Sequence, residues 1–234
     1  MAAPGTLPPA GERRLTEPSS LPGRPDPRAL PGSVAAAVGL AVFAAFSHRG
    51  APQVFLALGG FALAAAAILW SGFGTARPTE LLGLSGCSKR VVTFSFVGVA
   101  LGFGAGVWHR YALDLSLWPH DIEVFVVVAC LIGATEEIVY RGWLLGRARP
   151  LGPAAAVLVA ALAHTAYKTA LFAFPSVAES IDLAQIALAT FLGGIVLGAL
   201  RAASGSLVPP MLAHAVFDFA VYGAVATAPW WVWN

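Results

Sequence analysis

The stretch DIEVFVVVACLIGATEEIVYRGWLL, residues 121–145, decides how the chain folds. It is apolar over a length sufficient to cross a bilayer as a helix, since about 20 apolar residues span roughly 30 Å of hydrocarbon. Two adjacent glutamates, Glu136 and Glu137, lie inside this run, followed by Arg141. Ionisable side chains are costly in hydrocarbon, so each one requires a partner or a function. The stretch therefore predicts a membrane helix that carries functional polar residues.

The composition of the whole chain also indicates a membrane protein. The 234 residues are 58% hydrophobic and 11% charged, with a mean hydropathy of +0.75. This is more apolar surface than a single soluble core of that length needs, so the lipid bilayer is the expected environment. The basic residues are spread along the loops and are not clustered with aromatic residues, which argues against nucleic acid as a partner.

Seven apolar segments follow a polar tail. Residues 1–32 hold nearly half of the prolines and four arginines, and they are predicted to form a disordered cytoplasmic tail. Residues 33–234 are predicted to form the transmembrane domain, an all-α polytopic bundle with about seven spans. The segments are 33–47, 53–73, 91–108, 121–145, 153–174, 183–201 and 206–227.

Alternate loops between these segments differ strongly in positive charge. The side that holds the N-terminal tail carries ten lysines and arginines, whereas the opposite side carries only Arg49 and Arg110. Because Lys and Arg are enriched in cytoplasmic loops, the N-terminus is predicted to lie in the cytoplasm. The expected location is a bacterial inner membrane, in which the protein is integral and multi-pass.

Two later segments carry the other ionisable side chains within predicted spans. His164 and Lys168 lie in the fifth segment, and His214 and Asp218 lie in the seventh. Counting from the cytoplasmic ends at about 1.5 Å per residue places Glu136 and both histidines roughly 12 to 17 Å deep. The three segments are therefore predicted to bring a carboxylate pair and two imidazoles into one layer.

Helical spacing predicts partners within this layer. Glu137 and Arg141 are four residues apart, so they share a helix face and can form an ion pair. Glu136 is rotated about 100° away and is left free of that pair. His214 and Asp218 have the same spacing of four, so Asp218 can accept a hydrogen bond from the ring or share a ligand with it.

The chemistry that such a set permits is hydrolysis. A carboxylate in an apolar cavity can act as a general base towards water, while imidazoles can position that water, polarise a carbonyl or bind a metal. Peptide-bond cleavage needs these roles. Lys168 is expected to extend its ammonium group towards the membrane interface instead of serving the site.

Three motifs resemble those of a known family. The run of residues 135–142 resembles the EExxxR motif of the CPBP family, the CAAX-protease and bacteriocin-processing group of intramembrane enzymes that is also called Abi. His164 is similar to the histidine of its second motif, and His214 with Asp218 resembles its HxxxN/D motif. The resemblance covers about residues 121–222, the predicted catalytic core, and the three motifs together are specific.

The resemblance implies an intramembrane endopeptidase and a role for each matching residue. It implies that Glu136 activates the attacking water, that His164 orients this water together with Glu136, and that His214 and Asp218 stabilise the oxyanion. The supporting residues would be Glu137 and Arg141.

A metal is left open by this resemblance. Members of the family have been described both as metalloproteases and as glutamate-dependent enzymes without metal. The chain lacks an HExxH motif, so a divalent metal such as zinc is not required by the sequence. If a metal is present, its expected ligands are Glu136, His164 and His214.

The expected partner is a membrane-bound protein or peptide substrate. CAAX-type prenylated proteins, leader peptides and C-terminal sorting tails are all compatible with the family. Ala160 stands where the second motif usually has phenylalanine, which alters the predicted wall of the pocket. The choice among these substrates therefore stays open.

Two other functions also place ionisable groups in membrane spans. A transporter or proton relay does so, but it would be expected to show internal symmetry and broken helices in paired halves, and the sequence shows neither. A noncatalytic immunity or scaffold protein of the same fold is the other alternative. The complete set of motif residues at a common depth favours the endopeptidase over both.

Overall fold

The computed structural model describes residues 29–46, 78–84, 86–173 and 181–226, and all regular structure in these ranges is helical. The predicted all-α class is thereby confirmed for the described residues. The helices are α1 (Ala29–Phe46), α2 (Pro78–Leu82), α3 (Lys89–Ala112), α4 (Phe125–Glu137), a π-helical segment (Ile138–Leu144), α5 (Leu145–Ala148), a 3-10 turn (Arg149–Leu151), α6 (Pro153–Phe172), α7 (Leu183–Ser204) and α8 (Val208–Tyr222).

Three of these helices are long and apolar enough to cross a membrane, namely α3, α6 and α7. Pro31–Phe46 and α8 are apolar but shorter. The predicted total of about seven spans stays a prediction, because the segment at 53–73 lies outside the described residues. The same holds for residues 1–28 of the tail, whereas α1 already begins at Ala29, before the predicted boundary at residue 32.

The fourth predicted segment is one continuous helical path with a change of winding. Its α-helical part ends at Glu137, a π-helical segment of 7 residues follows, and α5 completes the path. Residues 139–145 are all buried, because α1, α2 and α6 pack around this segment. π-Helical turns inside α-helices occur frequently at functional sites.

Local signals in the sequence set the ends of α3, α7 and α8. Ser88 caps α3 by accepting a hydrogen bond from the backbone N–H of Val91, and the carboxylate of Asp182 caps α7 in the same manner. Gly205 ends α7 in the left-handed conformation, with φ of 74°, which glycine adopts without steric cost. Prolines in its first turn then start α8, where no intrahelical N–H is needed.

Helix α8 packs against both α3 and α4, and its contact with α3 is made through glycines. Gly98, Gly102 and Gly106 lie on the buried face of α3. A Cβ atom at Gly102 would collide with the carbonyl oxygen of Ala213 on α8. The two backbones therefore touch directly, a mode of packing that small residues allow between membrane helices.

A buried arginine ties the far end of α3 to α8. Arg110 donates from Nη1 to the carbonyl oxygen of Ala220 at 3.0 Å, and from Nη2 to Oγ of Ser116 at 2.9 Å. Its Nε also donates to the carbonyl oxygen of Ser116. These bonds fix the loop after α3 against the last turn of α8.

The distribution of side chains is that of a protein surrounded by hydrocarbon. Large apolar residues point outward on α3, on the turn before α4 and on α7, for example Phe96 (73% exposed), Val124 (83%) and Leu188 (60%). Charged and polar side chains lie inside instead: the buried set includes Arg110, Glu136, Glu137, Arg141, His164, Arg201 and Asp218. Apolar patches of this extent on a soluble protein mark an interaction surface, and lipid is the partner that fits here.

Candidate active site

Four elements meet at one buried polar cluster. The end of α4 contributes Glu136 and Glu137, and the π-helical segment contributes Arg141. Helix α6 contributes His164 and Lys168, and α8 contributes His214 and Asp218. The structure thus brings together every residue that the sequence placed in one layer.

Glu136 is the centre of this cluster. Its side chain is 4% exposed, and its two carboxylate oxygens have different neighbours. Oε2 lies 3.2 Å from Nε2 of His164 and 4.0 Å from Nε2 of His214. Oε1 lies 2.6 Å from Nζ of Lys168. The carboxylate is therefore held between α6 and α8.

The expectation for Lys168 was wrong. Its ammonium group does not extend towards the membrane interface but forms an ion pair with Glu136, and its side chain is only 18% exposed. Lys168 follows His164 by one helical turn, so both side chains leave the same face of α6 and reach the same carboxylate. Pairing with a buried carboxylate outweighs snorkelling because an unpaired buried carboxylate is costly.

Glu137 is fully buried and forms the predicted ion pair with Arg141. Its Oε1 lies 2.9 Å from Nη1 of Arg141. The same oxygen lies 2.9 Å from Nδ1 of His214, a contact that the sequence did not predict. Glu137 thereby links the π-helical segment to α8, and it sets the orientation of the His214 ring.

The hydrogen bonds of His164 define its tautomer. Nη1 of Arg141 lies 3.1 Å from Nδ1 of His164, and a guanidinium can only donate, so Nδ1 accepts. The neutral ring then carries its proton on Nε2, which donates to Glu136. Tyr140 stacks on this imidazole with ring centroids 4.6 Å apart, which holds the plane of the ring.

Of the two predicted relations between His214 and Asp218, the direct hydrogen bond is not formed, and the shared ligand stays a prediction. Nε2 of His214 and Oδ2 of Asp218 are 3.8 Å apart, beyond hydrogen-bonding distance, because the ring turns its Nδ1 towards Glu137. Nε2 of His214 consequently faces the space between Glu136 and Asp218. Two carboxylates and an imidazole nitrogen surround this space at separations that one small molecule can bridge.

Gly133 makes room for this arrangement, and the sequence reasoning did not single it out. A Cβ atom there would collide with Oδ2 of Asp218 and lie 3.1 Å from Cδ2 of His214. Gly133 precedes Glu137 by one helical turn, a spacing that could have indicated a position on the polar face of α4. Tyr140 was likewise missed as the residue that stacks on His164.

The residues around Glu136 do not fit a divalent metal. A metal ligand must offer a lone pair, but Nε2 of His164 carries the proton and donates it to Glu136. The ammonium of Lys168 already takes the other oxygen of Glu136. Within the described ranges no group of three His, Cys, Asp or Glu residues is placed to hold a metal ion. Arg141 and Lys168 instead supply positive charge to the cluster.

A comparison with protein families bears on this cluster. Residues 118–220 match the family described as type II CAAX prenyl endopeptidase Rce1-like, and this region contains α4 to α7, most of α8 and every residue of the cluster. No curated protein and no solved structure matches the chain.

The helical fold and the buried acid, imidazole and ammonium groups define the class as a helical membrane protein with a buried polar site. Residues 118–220 are similar to the Rce1-like family, and the predicted resemblance to the CPBP family is confirmed. The family supports a protease, and together with the three long apolar helices it indicates an integral membrane protein.

Proposed function

We propose that the protein is an intramembrane endopeptidase in which Glu136 activates water to hydrolyse peptide bonds of membrane-anchored or membrane-embedded substrates. The observation that carries this proposal is the convergence of Glu136, His164 and His214 in a buried layer, with Oε2 of Glu136 3.2 Å and 4.0 Å from the two imidazoles. A buried carboxylate beside two imidazoles has the groups that a general base and its positioning partners require.

The attacking water would lie between Oε2 of Glu136 and Nε2 of His214. This gap of 4.0 Å is too long for a direct hydrogen bond but is bridged when a water contacts both atoms. Glu136 takes a proton from the water as the water oxygen attacks the carbonyl carbon of the substrate. His164 donates to Oε2 and keeps that oxygen aimed at the gap.

Collapse of the tetrahedral intermediate completes the reaction. The carbon–nitrogen bond breaks, the proton held by Glu136 passes to the leaving amine, and the products are an amine and a carboxylic acid that then loses its proton. In its protonated form His214 donates from Nε2 to the oxyanion, while Glu137 holds Nδ1 of the same ring. Asp218 lies 3.8 Å from that nitrogen, and its carboxyl group can donate a second hydrogen bond to the oxyanion when it is protonated.

Prenylated CAAX-type proteins are the substrate class that we favour. The name of the matched family includes a prenyl endopeptidase, and a prenyl chain needs an apolar site. A groove of about 540 Å³ lies between the start of α3 and the start of α8, with Phe96, Val99 and Leu212 among its lining residues. Leu212 precedes His214 by two residues, so the groove lies at nearly the same height along α8 as the site but on another side of the helix.

Replacement of Glu136 tests the proposal. We expect Glu136→Gln to reduce cleavage of an internally quenched farnesylated CAAX peptide, by protein purified in detergent, at least about 100-fold, because a general base contributes that much or more. Leader peptides and sorting-tail peptides serve as further probes of the wild-type protein.

A second carboxylate provides the matched control. Glu123 lies in the turn before α4, and Glu123→Gln should keep the wild-type rate. Full activity of the Glu136→Gln variant would overturn the proposed role of Glu136. Both variants should be expressed equally, since each exchanges groups of the same size.

A further inference from the structure

Lys168 contacts the proposed general base but has no role in the reaction steps described above. Its Nζ lies 2.6 Å from Oε1 of Glu136, which is a shorter contact than any other that this carboxylate makes with the cluster. The other lysine of the chain, Lys89, lies exposed at the start of α3. The two lysines thus differ completely in environment.

The ammonium of Lys168 helps to fix the plane of the Glu136 carboxylate. A carboxylate can rotate about its last bond unless both of its oxygens are held. Lys168 holds Oε1 while His164 holds Oε2, and both holders come from one face of α6. The plane of the carboxylate is consequently fixed, with one oxygen 4.0 Å from Nε2 of His214.

The same contact supplies positive charge. The cluster contains three carboxylates, of Glu136, Glu137 and Asp218, against the fixed cations of Arg141 and Lys168. Arg141 serves Glu137, so Lys168 is the cation that neutralises Glu136. A compact ammonium suits this role, because it is a point charge on a flexible stem.

We infer that Lys168 is a positioning residue, the cation that fixes the orientation of the Glu136 carboxylate relative to His214. The inference rests on the proposed function for its effect on cleavage, but the pairing itself is a property of the folded protein. Lys168 acts through Glu136 and is not assigned a contact with the substrate.

Kinetic variants test the effect on cleavage. With the farnesylated CAAX probe, Lys168→Met should lower kcat about tenfold or more and change KM less than about twofold, because misplacement of a reacting group affects the chemical step. Lys168→Arg should keep a larger share of kcat than Lys168→Met. Propylammonium should restore activity to Lys168→Ala in a saturable manner. Lys89→Met is the matched control and should keep wild-type kinetics without a response to the amine.

A spectroscopic measurement tests the pairing independently of cleavage. Protein labelled with [ε-13C]lysine contains two lysine side chains, so its spectrum should hold two side-chain signals. Glu136→Gln should shift the Lys168 signal and leave the Lys89 signal in place.

The two measurements separate the possible failures. An unchanged Lys168 signal, or a wild-type kcat in Lys168→Met, would overturn the inference even if the wild-type protein cleaves the probe. If the wild-type protein cleaves none of the probes but the signal shifts, the proposed function is overturned while the positioning of Glu136 by Lys168 stands.

Discussion

Glu136 and Glu137 are adjacent in the sequence, yet their carboxylates have different partners. The rotation of about 100° between neighbouring helix positions aims them at different neighbours. Glu137 receives both of its donors, Arg141 and His214, on one oxygen and has no exposure to solvent. Glu136 is held through both oxygens and faces the space beside His214. This difference supports the proposal that Glu137 stabilises the cluster and Glu136 performs the chemistry.

The small size of Gly133 should be essential for this placement. A methyl group at Gly133 would occupy the position of Oδ2 of Asp218 and displace that carboxylate. We expect Gly133→Ala to lower kcat on the farnesylated probe about tenfold or more, since small displacements of catalytic groups have effects of this order. Steady-state kinetics of the purified variant provide the measurement.

An open glycine on α7 gives the control for this variant. A Cβ atom at Gly193 would meet no atom within 4 Å, so Gly193→Ala should be as active as the wild-type protein. If Gly133→Ala keeps full kcat with an unchanged melting temperature, Asp218 is not needed where the structure places it.

The sequence predicted contacts within one helix better than contacts between helices. The pair of Glu137 and Arg141 followed from a spacing of four residues on one helix. Lys168 with Glu136, and His214 with Glu137, join different helices, so these contacts depend on the rotation of each helix about its axis. Helical spacing alone does not determine that rotation, which is why the contacts of Lys168 with Glu136 and of His214 with Glu137 were not predicted.

Among the helices, the π-helical segment is the feature that the apolar pattern could not predict. The run at 121–145 was correctly predicted as a helix, but hydrophobicity on all sides carries no period from which a change of winding could be read. The segment is surrounded by α1, α2 and α6. Two of its residues contact the imidazole of His164: Tyr140 stacks on the face of the ring, and Arg141 donates to Nδ1 at its edge.

The contact between α3 and α8 should be intolerant of any added side chain. Gly102→Ala is expected to destabilise the protein by about 1 to 3 kcal/mol, because its methyl group would collide with backbone atoms of Ala213 that cannot move aside. Reversible unfolding in mixed detergent micelles measures this difference.

Gly104 on the same helix is the matched control. A Cβ atom there would meet no atom within 4 Å. Gly104→Ala should leave the stability unchanged or raise it by up to about 1 kcal/mol, since alanine favours helix more than glycine does. Equal effects of the two substitutions would contradict direct backbone contact between α3 and α8.

The unequal distribution of lysine and arginine between alternate loops predicts which face of the protein is cytoplasmic. Cys87 is exposed and lies before α3, on the face predicted to be cytoplasmic. A membrane-impermeant maleimide should therefore label Cys87 in inside-out vesicles and leave it unlabelled in right-side-out vesicles. Mass spectrometry of the purified protein identifies the labelled residue.

A cysteine on the opposite face completes this test. Leu117 is 56% exposed in the loop after α3, so a Cys87→Ser, Leu117→Cys variant should be labelled in right-side-out vesicles. Labelling of Cys87 from the outside would reverse the predicted orientation.

Most of the bundle was visible in the sequence because each apolar segment had the length and composition of a membrane helix. Five of the seven predicted segments correspond closely to described helical paths, and the first is α1 with an earlier start. Helix packing was less predictable, because lipid and protein interiors are equally apolar and apolar residues alone do not mark the buried face.

The region that matches the family model is smaller than the region that packs together in the structure, because α1 and α3 also contact the helices of the site. Both helices lie outside residues 118–220, yet α1 packs on the π-helical segment and α3 holds α8 along its glycine face. A fragment trimmed to the recognised region would keep every residue of the cluster and lose two of the walls that hold them. Such a fragment would contain all side chains of the cluster but would lack the helix packing that holds them in place.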